Sequence, residues 1–123
     1  MKVLLIEDEL DVADVYISWL EESGHEITHC ANGYTAGVEI LEQGEGQVFG
    51  LILTDIKMPG KTGIELIDFL DKIETKTMKT PTIFLSGFID EKLREKYKDL
   101  PHVTFLEKPV SKESFVQKVN EVT

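Results

Sequence analysis

Two kinds of apolar pattern alternate along this chain. Short continuous runs, typical of strands buried on both faces, give way to stretches whose apolar residues recur every three or four positions, as on one face of a helix. The first run, Val3 to Ile6, ends in three acids, Glu7-Asp8-Glu9. Val12, Val15, Tyr16, Trp19 and Leu20 then predict an amphipathic helix, closed at Ser23-Gly24, with Gly24 suited to a C-terminal cap. Glu26 to Ala31 reads as a less apolar strand nearer a sheet edge, and Asn32-Gly33 turns the chain. Tyr34, Val38 and Leu41 mark a second helix by their apolar spacing, and it runs out in Gly44-Glu45-Gly46.

The third run, Phe49 to Thr54, leads straight into Asp55, and Pro59-Gly60 soon stops regular structure. Asp55 is thus expected where a central strand ends. Ile64, Ile67, Leu70 and Ile73 predict a third helix, and the polar stretch Glu74 to Thr80 a loop. Pro81 to Gly87 is a fourth strand ending in Ser86-Gly87. Ile89, Leu93 and Tyr97 give a short charged helix that Pro101 breaks. His102 to Leu106 is a fifth strand, ending at Glu107-Lys108-Pro109. Phe115, Val116, Val119 and Val122 face the core from a last helix, opened by Ser111 with Ser114 in its first turn.

Five strand–helix units in strict alternation imply an α/β fold, a parallel sheet covered on both faces with right-handed crossovers. Ligands of such sheets bind beyond the carboxyl ends of the strands. The length, 123 residues, fits one domain over 1–123 with no output domain in the chain. No apolar run is long enough for a membrane span, and the start lacks the features of a signal peptide. A lone cysteine, Cys30, cannot form an internal disulfide, which points to a reducing, cytoplasmic setting. The net charge of −10 argues against direct binding of nucleic acid.

The predicted strand ends gather a distinctive set of polar side chains on one edge of the sheet: Glu7 and Asp8, Asp55, Ser86 and Lys108. Three close carboxylates repel one another unless a cation is present. Oxygen ligands without His or Cys suit Mg²⁺, which commonly accompanies phosphate. A lysine and a hydroxyl suit phosphoryl oxygens. These residue types point to Mg²⁺-assisted phosphoryl transfer with Asp55 as nucleophile.

Over essentially its whole length the chain resembles the receiver domain of two-component response regulators. Glu7-Asp8-Glu9 matches the acidic cluster, Asp55 to Gly60 with Gly63 the phosphoacceptor segment, Ser86-Gly87 the hydroxyl-plus-small pair, and Lys108-Pro109 the Lys-Pro pair. Phe105 matches the aromatic residue three positions before that lysine. The resemblance implies a flavodoxin-like (βα)5 fold, a doubly wound sheet of order 2-1-3-4-5. It implies a phosphorylated signalling domain, not an enzyme in the ordinary sense. Asp55 would take a phosphoryl group from a phosphohistidine on a sensor histidine kinase or a phosphotransfer protein. Asp8 would ligate Mg²⁺ directly and Glu7 through water, with Asp55 and the backbone carbonyl of Lys57 completing the protein ligands. Lys108 would pair with Asp55 and then with the phosphoryl group. Ser86 and Phe105 would act as the switch, and the last two strand–helix units would form the readout face. Lys108-Pro109 is a candidate cis peptide, because proline lowers the cost of that isomer.

Three positions depart from the commonest family pattern: Glu7 stands for Asp, Ser86 for Thr, and Phe105 for Tyr. Lys57 and Phe88 should flank the path of a water attacking the acyl phosphate, and neither can orient it. Competing readings are an aspartyl phosphatase of the haloacid dehalogenase type and a receiver-like scaffold that is never phosphorylated. The first needs a second Asp where Lys57 stands. A nucleotide or flavin module would need a Gly-rich loop after the first strand, and none follows it.

Overall fold

The computed structural model describes residues 1–42, 49–56, 63–73 and 79–123. Five strands, β1 (Lys2–Ile6), β2 (Glu26–Cys30), β3 (Leu51–Asp55), β4 (Thr82–Ser86) and β5 (Val103–Glu107), alternate with five helices. These are α1 (Leu10–Glu22), α2 (Gly33–Glu42), α3 (Gly63–Ile73), α4 (Glu91–Tyr97) and α5 (Lys112–Val122). The strands form one parallel sheet of order β2-β1-β3-β4-β5, the flavodoxin-like (βα)5 arrangement. Strand order reverses between β1 and β3, so the crevice beyond their carboxyl ends is the switch point of the sheet.

The period-two alternation of each strand splits the core into two layers. On one side Val3, Leu5, Leu51, Leu53, Ile83 and Leu85 meet α1 and α5 through Tyr16, Leu20, Phe115 and Val119. Tyr16 stacks on Phe115 with centroids 5.0 Å apart, and Trp19 tilts against the same ring at 5.2 Å. On the other side Leu4, Ile6, Ile52 and Phe84 meet α2, α3 and α4 through Ala36, Leu66, Ile67 and Tyr97. Complete burial of side chains such as Phe84, Phe115 and Leu53 stabilises each layer by roughly 1.5–3 kcal/mol per residue before the cost of ordering the chain.

Local signals set the ends of the helices. Gly24 takes a positive φ of 84° after α1, a conformation that strains residues with a Cβ. Asn32 accepts a hydrogen bond from the Thr35 amide and opens α2. Asp90 accepts from Leu93 and caps α4, and Ser111 accepts from Ser114 and caps α5. The Lys108-Pro109 peptide is cis.

Several expectations need correcting. Tyr34 and Val38 are 65% and 54% exposed, and the buried face of α2 is Gly33, Ala36, Gly37 and Ile40 instead. Gly37 faces α3: a Cβ built on it would meet the Leu66 side chain at 3.9 Å, an ordinary van der Waals contact. Val15 is exposed while Ala13 is buried in the layer between the sheet and α1. Ile89 precedes the Asp90 cap and is not part of α4. Strand β3 starts at Leu51, because Phe49 and Gly50 form the approach to the sheet. Lys57, Gly44-Glu45-Gly46, Pro59-Gly60, most of the Glu74 to Thr80 stretch and the side chains of Leu41, Leu70 and Ile73 lie outside the described residues.

Candidate functional site

Glu7 follows β1 and continues the parity of Val3 and Leu5, which turns its side chain inward beneath the acidic turn. It is completely buried. Asp55 ends β3 one strand away, partly exposed, and Asp8 stands exposed between β1 and α1. Carboxylate oxygens of Glu7, Asp8 and Asp55 all lie within 4.8 Å of one another. Lys108, just past β5, donates from Nζ to Asp55 Oδ2 at 2.8 Å and reaches within 3.7 Å of Glu7 Oε2. Its backbone amide donates to the Ser86 carbonyl at 2.7 Å, which ties the end of β5 to the end of β4.

Electrostatics follow from this crowding. Burial pushes the Glu7 carboxyl up from an ordinary 4.5 to about 7; Lys108 pulls it down and the Asp55 charge adds to the rise. For Lys108, burial acts to lower the value. The hydrogen bond and charge of Asp55, with Glu7 and Tyr16 behind them, outweigh it and raise the ammonium above its ordinary range. Glu7 Oε1 accepts from the Glu9 amide at 3.4 Å, while Oε2 accepts no hydrogen bond among the described residues. A completely buried oxygen without a hydrogen bond, next to two further carboxylates, suits a hard cation better than it suits an empty crevice. The acidic cluster could therefore coordinate a metal ion.

Ser86 ends β4, and its hydroxyl donates to the Phe88 carbonyl at 2.8 Å and accepts from the Phe88 amide at 3.2 Å. The Phe88 side chain is 73% exposed. Phe105, on β5, stacks on Phe84 at 5.8 Å and contacts Tyr97 at 6.2 Å, with the Arg94 guanidinium 5.8 Å from its ring centre. Tyr97 in turn donates to Asp68 on α3 at 3.1 Å, and Lys96 pairs with the same carboxylate at 3.0 Å. The structure thus brings Glu7, Asp8, Asp55 and Lys108 together, and places Ser86 and Phe105 on the two strands beside them. Sequence reasoning missed His29, whose ring Nε2 lies 2.8 Å from the Glu7 carbonyl oxygen. The signal was an imidazole near the end of an edge strand that stops beside the acids.

Residues 3–120 match the family described as response regulator receiver domain. The response regulator receiver protein CpdR of Brucella abortus is 34% identical over 71% of this chain and 67% of its own length. The phosphoglycerate transport system transcriptional regulatory protein PgtA of Salmonella typhimurium is 30% identical over 88% of this chain, which spans only 24% of that protein. Chemotaxis protein CheY4 of Vibrio cholerae superposes with a TM-score of 0.85 at 22% identity, covering 99% of this chain and 98% of that one. A Francisella response regulator receiver domain does so at 0.78 and 28% identity, covering 98% and 94%. The chain belongs to the response regulator receiver domain family. It is a phosphoacceptor signalling module and not an enzyme that turns over a small substrate. Among the described residues, no helix is long and apolar enough to cross a membrane.

Proposed function

We propose that Asp55 accepts a phosphoryl group from a phosphohistidine on a sensor histidine kinase or phosphotransfer protein, and that its phosphorylation re-sets the surface formed by β4–α4 and β5–α5. The observation that carries this reading is the 2.8 Å bond from Lys108 to Asp55 inside a cluster of three carboxylates. A bond forms between an Asp55 oxygen and phosphorus as the bond from phosphorus to the donor nitrogen breaks. Lys108 holds the attacking carboxylate and then pairs with a phosphoryl oxygen. Glu7, Asp8 and Asp55, with the Lys57 carbonyl, would hold Mg²⁺. When bound, that ion supplies charge neutralisation for the transferring oxygens.

Ser86 spends its hydroxyl on the Phe88 backbone in the described conformation. A phosphoryl dianion on Asp55 offers it a stronger, charge-assisted partner. Rotation of that hydroxyl clears space into which Phe105 moves, and the surface of α4 changes with it. Phe105 has no phenolic hydroxyl, so no hydrogen bond from its ring opposes that move. The chain acts as one receiver domain in the cytoplasm, with its downstream partner contacting this face. The partner is a protein and neither nucleic acid nor membrane, in keeping with the net charge of −10.

Beryllium fluoride with Mg²⁺, which mimics the acyl phosphate, tests the reading. Backbone amide resonances should shift around Asp55, Ser86 and Phe105. An unchanged spectrum would make the chain an unphosphorylated scaffold. We further assign Phe88, with Lys57, to the lifetime of the phosphorylated state. An exposed phenyl group beside the Ser86 turn cannot orient an attacking water. Phe88→Glu should shorten that lifetime about tenfold, equivalent to ~1.4 kcal/mol of barrier. Decay of phosphorylated protein after donor removal reads it; equal lifetimes would remove Phe88 from this role.

A further inference from the structure

We propose that His29 is a positioning residue for the acidic cluster: its ring pins the peptide that joins Glu7 to Asp8. This inference rests on the reading of Glu7, Asp8 and Asp55 as the metal and phosphorylation site. Glu7 and Asp8, with Glu9, lie between Ile6, the last residue of β1, and Leu10, the first of α1. They are therefore outside both the sheet ladder and the helix. The ladder supplies one last restraint, a bond from the Glu7 amide to the Cys30 carbonyl at 3.1 Å. Pairing of β1 with β2 then stops at Ile6↔Cys30, because the chain leaves the sheet at the Asn32 turn and enters α2 at Gly33. The Glu7 carbonyl would next have looked to β2 for a donor.

His29 supplies it. The imidazole Nε2–H donates to the Glu7 carbonyl across 2.8 Å, in a part-buried setting. A carbonyl can only accept, so this contact places the ring proton on Nε2. The consequence is geometric. The Glu7 carbonyl and the Asp8 amide belong to one rigid peptide plane. Fixing that oxygen fixes the plane, and with it the points from which both carboxylates depart. Glu7 is held from the other side by its own Oε1, which accepts from the Glu9 amide. His29 is thus the only side chain among the described residues seen to hold the backbone between the two acids. It touches neither the Asp55 carboxylate nor any described carboxylate oxygen of the cluster, and it acts through the peptide.

Calorimetric titration of the whole chain with Mg²⁺, at a temperature well below unfolding, tests this on three proteins: wild type, His29→Leu and His29→Gln. Glutamine can present an amide N–H near the position of Nε2, and leucine has no donor. Losses of about tenfold are common when a group behind a metal ligand is removed. We expect His29→Leu to weaken Mg²⁺ binding by about that factor and His29→Gln to stay within about twofold of wild type. Thermal melts of the metal-free proteins run alongside. A lowered melting temperature for His29→Leu with an unchanged Mg²⁺ dissociation constant would mean a role in the fold alone, and would overturn the proposal. Equal weakening in both variants would overturn it as well. If wild type itself binds no Mg²⁺, the reading of the acidic cluster fails first and takes this inference with it. Binding by wild type that His29→Leu leaves intact sinks only the inference.

Discussion

Asp55→Asn should abolish labelling by acetyl phosphate, while the protein stays folded. An amide of nearly the same volume replaces the carboxylate, so packing at the end of β3 changes little. The attacking oxygen loses its charge, however, and Lys108 loses its 2.8 Å anionic partner. No other described carboxylate meets the lysine in that geometry: Glu7 Oε2 is 3.7 Å away and completely buried. Intact-mass measurement after incubation with donor and Mg²⁺ gives the answer directly. Stoichiometric labelling of the variant at the same segment would refute the assignment of Asp55.

The second large effect is a pH dependence of the metal-free protein. Glu7 sits at about 7 in the folded chain against an ordinary 4.5. Between those two values the folded protein holds a proton that the unfolded chain has released. Stability therefore falls as pH rises from about 4.5 to about 7, and then levels off. The full difference is on the order of 3 kcal/mol, from about 1.4 kcal/mol per pH unit of displacement. His25 works in the opposite sense just below its ordinary 6.5, because burial and the neighbouring N-terminal amine hold it low. A comparison with Glu7→Gln isolates the carboxyl. Denaturant unfolding in chelator at pH 5 and pH 7.5 should show wild type losing stability relative to the variant. Mg²⁺ affinity should move the other way, rising through the same window with release of a proton. Parallel stability profiles for the two proteins would show that Glu7 does not titrate there.

The order of elements, the sheet topology and the gathering of Glu7, Asp8, Asp55, Ser86 and Lys108 at one edge were legible in the sequence. Strand–helix alternation places the polar residues at the strand ends, and the family resemblance supplies the strand order. The face of α2 was not legible. A pattern that weighs residues by hydrophobicity chooses Tyr34 and Val38, whereas the packing buries Gly33 and Ala36 and half-buries Gly37, which carry little or no side chain. Periodicity alone cannot distinguish a face that is apolar from a face that is merely small. The complete burial of Glu7 was equally hidden, since it opens the acidic run Glu7-Asp8-Glu9, which reads as a solvated turn. So was the link from His29 to the Glu7 carbonyl, because a contact between residues 22 positions apart depends on the register of β1 against β2. The clamp of Asp68 on Tyr97 and Lys96 likewise joins α3 to α4 through side chains that look unremarkable in their own helices.

Trp19 is the only tryptophan in the chain, and its ring lies against Phe115 and Tyr16 in the layer between the sheet, α1 and α5. Its emission is therefore a gauge of one layer and not of the molecule. Phe105, Tyr97 and α4 belong to the opposite layer. A rearrangement confined to them leaves the indole in the same surroundings and passes unseen at tryptophan wavelengths. Unfolding does not. Emission that melts in step with far-ultraviolet circular dichroism would show the two layers coming apart as one cooperative unit. Emission that melts first would show the sheet surviving, for a few degrees, with one side bare.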